Sequence, residues 1–307
     1  MADDPMDSRK IKWAEWIPET TFGTLPTNPA MQALPGVLLE FNLKSSPVLD
    51  EYNCLKGATD TDPLSCGVAT KTTETIEWDF KVKCTDAYGM LPQALLAATT
   101  STFTPGNTML PFSIGLMAGS QYCTLLGNVI TEWVLDIPDN EKAAELSVSG
   151  MAVSKSAWGA DYKGTGSHAA AVSSADVLTM ASLSAFTYDS VALSASDIMA
   201  PSLKFGVKNK VEPVIDASSS RTSKIGNWSF GPREYILELD ATFLDDMGLQ
   251  DDILAAANHT MAYTLDGKTC TWSGIKWANS GDITLNPEDV IGTTLQAAGG
   301  AARLSIA

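Results

Sequence analysis

The second half of this chain repeats the first, and that duplication limits the architectures open to it more than any other feature. At an offset of 159, Ile76 to Thr99 (IEWDFKVKCTDAYGMLPQALLAAT) lies without a gap on Tyr235 to Asn258 (YILELDATFLDDMGLQDDILAAAN). Asp86 meets Asp245, Gly89 meets Gly248, Leu95 meets Leu254, and Ala97-Ala98 meets Ala256-Ala257. Upstream, Leu39 to Lys44 (LEFNLK) matches Leu203 to Lys208 (LKFGVK) at an offset of 164. Downstream, Cys123-Thr124 and Gly127 match Cys270-Thr271 and Gly274 at an offset of 147. Order is kept while loops change length, as in two copies of one unit. No catalytic residue recurs with the fold, which points to building rather than catalysis.

The 307 residues are enough for two units with cores of their own. The expected organisation is an extended arm at 1–36, a first copy at 37–155, a Ser/Ala/Gly-rich linker at 156–200 and a second copy at 201–307. An apolar content of 45% is that of an ordinary globular protein. No apolar run is long enough to span a bilayer, and MADDPMDSRKIKW has neither the apolar core nor the cleavage site of a signal peptide. Assembly in the cytoplasm, without a membrane, is therefore expected.

A net charge of −16 argues against a sequence-reading DNA binder, which needs clustered Lys and Arg to displace counterions. Five cysteines without a CxxC give neither a disulfide framework nor a zinc site. Cys84, Cys123 and Cys270 lie in apolar alternating stretches and read as small buried hydrophobes. Cys54 and Cys66 share a loop and would pair in an oxidising medium, but reduced thiols are expected in the cytoplasm.

Residues 13–36 hold four prolines among apolar side chains, which suits an irregular arm. A strand follows with Leu39, Phe41 and Leu43 on one face, then a long loop from Ser45 to Thr73. Ile76, Trp78, Phe80, Val82 and Cys84 then alternate with Glu77, Asp79, Lys81 and Lys83, the pattern of a half-buried antiparallel strand. A short helix is expected over Leu91 to Ala98, with Thr85 and Asp86 as caps and Pro92 in its first turn. Its second copy starts at Asp251-Asp252 and stops at Asn258. Further strands are expected at 121–126, 128–137 and 144–154, again at 268–273, 275–285 and 293–306, and one between the copies at 183–193. The fold class is thus mainly β, two tandem β-sandwich or barrel domains, each with a long loop and a short flanking helix.

Chemistry is sparse. His168 and His259, the two histidines, fall at non-equivalent places with no patterned ligand or nucleophile nearby. Asp60/Asp62, Asp245/Asp246 and Asp251/Asp252 lack the spacing of a calcium loop and read as solvated loop or helix-start residues. Gly164-Thr165-Gly166 has no Lys-Ser/Thr after it, and the sequons at Asn227 and Asn258 have no secretory context. Trp13, Trp16, Trp78, Trp228 and Trp272 read as core or subunit-contact residues. No enzyme activity, cofactor or metal is expected.

The order of strand, long loop, strand and small helix resembles the tail tube protein fold of long-tailed phages, shared in outline with contractile-tail and type VI secretion tubes. Glu19-Thr-Thr-Phe-Gly-Thr-Leu-Pro26 also resembles the E-x-T-x-G-T-x-P opening of siphophage major tail proteins. The resemblance implies a virion protein whose rings stack into a tube that conducts DNA. With two tube domains per chain, it implies a homotrimeric, pseudo-hexameric ring. The partners it implies are further copies of the chain, a tape measure protein, a tail terminator, distal tail proteins and DNA in non-specific passage.

On this reading Glu77, Asp79, Lys81, Glu238 and Asp240 are candidate lumen-facing residues. Val48, Leu49, Tyr52, Leu55 and Leu64 in the first long loop, with Val214, Ile215, Trp228 and Phe230 in its counterpart from Glu212 to Arg233, are candidates for stacking between rings. The alternative is a surface or pilus-like adhesin of tandem β-sandwiches, against which the missing signal peptide argues. A glycan hydrolase ranks third, because no carboxylate pair recurs in a site-like setting.

Overall fold

The computed structural model describes residues 11–53, 67–97, 103–138, 142–192, 198–216, 224–243, 258–280, 291–297 and 303–306. The first repeat is built from β1 (Ile11–Pro18), β2 (Gln32–Ala33), β3 (Gly36–Asn53), β4 (Gly67–Cys84), α1 (Leu91–Leu95), β5 (Phe112–Ala118), β6 (Gln121–Ile137), β7 (Glu145–Ala152) and β8 (Ser154–Lys155). The second is built from β9 (Leu183–Tyr188), β10 (Val191–Ala192), β11 (Ile198–Asp216), β12 (Lys224–Phe243), β13 (His259–Leu265), β14 (Lys268–Ile275), β15 (Trp277–Ser280), β16 (Ile291–Ala297) and β17 (Arg303–Ile306).

The described strands of the two repeats match in register and share two bulges. Phe112 faces Asn128 and Leu116 faces Cys123 in the first, where His259 faces Ile275 and Tyr263 faces Cys270 in the second. Both pairs carry a bulge at the same place, between Phe112 and Ile114 and between His259 and Met261. A second bulge separates Ile130 from Glu132 on β6 and Trp277 from Asn279 on β15. Gly127 (φ 62°) and Gly274 (φ 65°) take the same left-handed turn, which glycine adopts without steric cost. The register corrects the sequence alignment at one point: Leu43, and not Phe41, is the counterpart of Phe205, since they face Trp78 and Leu237 respectively.

Two tandem β-sandwich or barrel domains are nevertheless not what forms. The strands are shared between a 12-stranded and a 5-stranded sheet, and neither closes into a barrel among the described residues. One unbroken run, β3-β4-β7-β6-β11-β12-β16-β15, passes through both repeats because β6 pairs with β11. The boundary between copies is a hydrogen-bonded strand pair, and one apolar cluster holding Phe80, Trp133, Phe205 and Trp272 crosses it. Only β10-β9-β13-β14-β17 forms a separate sheet.

The core lies between this run and the strands on its apolar side. Trp78 of β4 meets Phe112 of β5 edge to face at 6.0 Å, and Tyr235 of β12 meets Trp272 of β14 at 6.2 Å. Trp133, Trp272, Tyr263, Phe80 and Phe205 are fully buried, each worth about 1.5–3 kcal/mol of transfer free energy. Cys84, Cys123 and Cys270 are free and buried, and burial pushes the Cys84 thiol up to about 12 and Cys270 to about 11, leaving both inert. Cys54 and Cys66 lie outside the described residues.

Several local expectations change. The arm is not wholly irregular: β1 pairs with β5 along its length, burying Trp16 against Phe112. The stretches 45–53 and 67–73 are strand, so most of the first long loop is a β-hairpin arm; likewise β11 runs to Asp216 and β12 starts at Lys224. Helix α1 begins after Met90 (φ 61°) and ends at Leu96 (φ 52°), so Thr85 and Asp86 do not cap it. Asp86 Oδ1 instead accepts the Tyr88 N–H at 3.0 Å. The second helix lies outside the described residues.

Candidate functional site

The joint between the repeats is a paired, buried seam. On its apolar side Leu203 faces Ile137, Phe205 faces Leu135 and Val207 faces Trp133, all buried. On its polar side Lys204 faces Asp136, and Lys208 Nζ lies 3.2 Å from Glu132 Oε1. Gly206 brings the strands together, since a Cβ there would fall 2.4 Å from the Trp133 carbonyl oxygen. Buried Asn209 donates to the carbonyls of Ala94 (2.8 Å) and Ile130 (3.1 Å) and accepts from Arg233 Nε (3.0 Å). The Ile130 carbonyl stands at the bulge, so a helix carbonyl, a bulged strand and the second repeat are tied by one side chain.

Away from the core the described side chains of the run present a largely polar face. Glu77, Asp79 and Lys81 of β4 are exposed there, alternating with buried Trp78 and Phe80. Lys44 pairs with Glu77 at 3.4 Å, Lys81 with Glu145 at 3.2 Å and Lys204 with Glu238 at 3.0 Å. Asn42 donates to Asp79 at 2.9 Å. Asp240 occupies a register position facing Ser202 and Thr294. Such exposed pairs add little stability, about 0–1 kcal/mol each, but they put a carboxylate beside each of these lysines. Asp136 sits above the usual carboxylate range: burial raises it, Glu145 and Glu238 add to the rise, and Lys204 opposes it. The candidate lumen residues of both repeats therefore belong to strands of one sheet run, which their separation in sequence concealed.

The run ends in two open edges. Within it, β3 pairs with β4 alone and β15 with β16 alone among the described residues. These strands are the counterparts of β11 and β6, the two that meet at the internal joint. An unpaired strand edge presents free N–H and C=O groups and is a template for a further strand.

The stacking candidates separate. Val48, Leu49 and Tyr52 lie on the β3 side of the first hairpin arm, facing Thr73, Lys71 and Val68 in register, while Leu55 and Leu64 fall outside the described residues. Val214, 44% exposed, and Ile215 lie near the end of β11. Trp228 does not face solvent: it is buried with Ile225 against Val129, with Phe230 packed beside them, and its indole donates to the Gly127 carbonyl at 2.9 Å. The second arm thus lies on the first repeat of its own chain.

Other polar groups have structural partners. Glu19, which opens the tail-protein-like motif, accepts from Gly23 N (2.7 Å), Gly127 N (2.8 Å) and Ser113 Oγ (2.7 Å). Buried Glu15, unmarked in the sequence, accepts from Trp13 Nε1, Tyr162 and Ala169 N, and meets His168 Nδ1 at 2.6 Å. The other ring nitrogen of His168 meets Asp161 at 3.1 Å. His259 Nδ1 meets Asp189 at 2.8 Å. Both histidines therefore fasten segments of chain, and no group of three His, Cys, Asp or Glu among the described residues could hold a metal ion. Alternation locates the polar face; nothing local signals Asn209 or Glu15, most of whose partners are distant in sequence. Comparison with models of known protein families finds no match, and comparison with curated proteins finds none either.

Proposed function

We propose that this chain is the subunit of a tail tube of the siphophage type, self-assembling into stacked rings that conduct DNA. The observation that carries the reading is the pair of open edges, β3 and β15, at opposite ends of a sheet whose two halves already join through the equivalent strands β11 and β6. A unit that adds to itself once within a chain has the geometry to add again between chains, and only a closed ring leaves no edge unsatisfied. The polar face supports a conduit: Lys44, Lys81, Lys204 and Lys208 each lie beside a carboxylate that offsets their attraction for phosphates. On this reading the protein is a virion component without enzymatic activity, and tape measure, terminator and distal tail proteins are its partners by resemblance. Negative-stain microscopy of the purified chain tests it. Rings or hollow tubes are expected; isolated rods or beads at all concentrations would overturn the proposal.

A further inference from the structure

We infer the register in which one chain joins the next: β15 pairs antiparallel with β3 of a second copy, Asn279 opposite Ser46 and Ser280 opposite Ser45. The inference rests on the self-assembly reading above and adds to it a residue-level joint. It follows from superposing the repeats by their hydrogen-bonded registers alone. Trp133 faces Val148 as Ser280 faces Leu295, and Glu132 faces Ser149 as Asn279 faces Gln296, so Trp133 and Glu132 correspond to Ser280 and Asn279. Likewise Leu43 faces Trp78 as Phe205 faces Leu237, so Ser45 and Ser46 correspond to Val207 and Lys208. Within the chain Val207 faces Trp133 and Lys208 faces Glu132. Replacing each residue by its counterpart gives the register between chains.

Two features of the edge agree with this register. The pairing of β11 with β6 ends at Lys208, and the next residue, Asn209, has Pro47 as its counterpart. A proline cannot donate to a ladder and belongs where pairing has stopped. Pro47 stands one residue beyond the last pair that the inferred joint requires. Position by position, the ion pair of Lys208 with Glu132 is replaced between chains by uncharged Ser46 and Asn279. Backbone hydrogen bonds, rather than a charge pair, set the joint at that row.

Paired cysteines test the register, because residues directly opposite on neighbouring strands bring their Cβ atoms close enough for cross-linking. In a Cys54→Ser, Cys66→Ser background, Ser46→Cys is combined with Asn279→Cys, and separately Ser45→Cys with Ser280→Cys. Lys44→Cys with Asn279→Cys reports a slip of two residues. Assembly of each variant is followed by native mass measurement, and chain-to-chain bonds by non-reducing gels after mild oxidation. Both in-register pairs are expected to give covalent multimers many-fold above the slipped pair and above each single cysteine. Assembled rings in which the slipped pair cross-links best, or in which neither in-register pair does, would overturn the register and leave the self-assembly reading standing. A chain that remains monomeric at every concentration would overturn both.

Discussion

Asn209 donates its side-chain amide to the Ile130 carbonyl at 3.1 Å, so the second repeat holds the first at its bulge. The same amide reaches Ala94 O, and its oxygen takes the Arg233 guanidinium. Replacing it by leucine removes these bonds and leaves buried partners unsatisfied, at about 1–3 kcal/mol for a buried polar group. Asn209→Leu is expected to be folded but about 2–4 kcal/mol less stable in urea, with one cooperative transition. A change below about 0.5 kcal/mol, the range of an ordinary surface substitution, would show that the joint does not depend on this residue.

Glu19 offers a second test, because its carboxylate closes the turn at Gly23 and also ties Gly127 and Ser113. Glu19→Gln keeps the shape but sets an amide donor against one of the donors. The expected loss is about 1–3 kcal/mol, with local hydrogen exchange rising first at Gly23 and Gly127. Unchanged protection at both amides would refute this role for the motif.

The duplication, the alternating strands and the buried cysteines were legible in the sequence because each is a periodic or local signal. The merging of the repeats was not. Pairing β6 with β11 depends on which edges meet in space, and Val207 against Trp133 leaves no mark that distinguishes it from ordinary core packing. The slip between Phe41 and Leu43 leaves no sequence signal for a related reason: a shift of two residues keeps every side chain on its own face. The composition of 45–73, rich in Gly, Asp, Thr and Pro, reads as a loop, whereas a paired partner strand overrides such preferences.

Asp189 predicts an acid limb to stability. Burial alone would raise its carboxyl, but hydrogen bonds from His259 and Thr260 outweigh that effect and hold it below the usual range. A depressed carboxyl stabilises the folded state above its unfolded value, about 4, and that contribution is lost as pH falls through the folded value. Asp161, lowered despite its own burial by bonds from Lys163 and His168, acts in the same direction. Asp189→Asn is expected to melt below the parent at neutral pH, with the difference shrinking as pH falls below about 4. A difference that stays constant into acid would rule this out.

The proposed ring contains three chains. Each chain supplies two equivalent halves of the sheet, so three would present six units around a closed axis, with every β15 edge meeting a β3 edge. Native mass spectrometry of assembled rings is expected to give multiples of three times 32.6 kDa. Six whole chains in a single ring layer, seen by cryo-electron microscopy, would exclude the trimer.

The first hairpin arm is the remaining candidate for contact between rings. It extends β3 and β4 beyond Ser46, where the inferred joint ends, and the pairs from Pro47–Glu74 to Asn53–Gly67 carry it away from that joint. Its counterpart packs against the first repeat of its own chain through Trp228 and Ile225. An arm that buries surface against a neighbouring ring stabilises the stack by binding, without being required by the free subunit. Replacing Glu51 to Ala69 by Asn-Gly closes the hairpin on the Asp50–Thr70 pair with a two-residue turn suited to antiparallel strands. This variant is expected to fold, to keep the melting behaviour of the parent and to form single rings, but not long tubes. Long tubes of normal appearance would show that the arm has no part in stacking; loss of folding would instead assign the arm to the core of its own repeat.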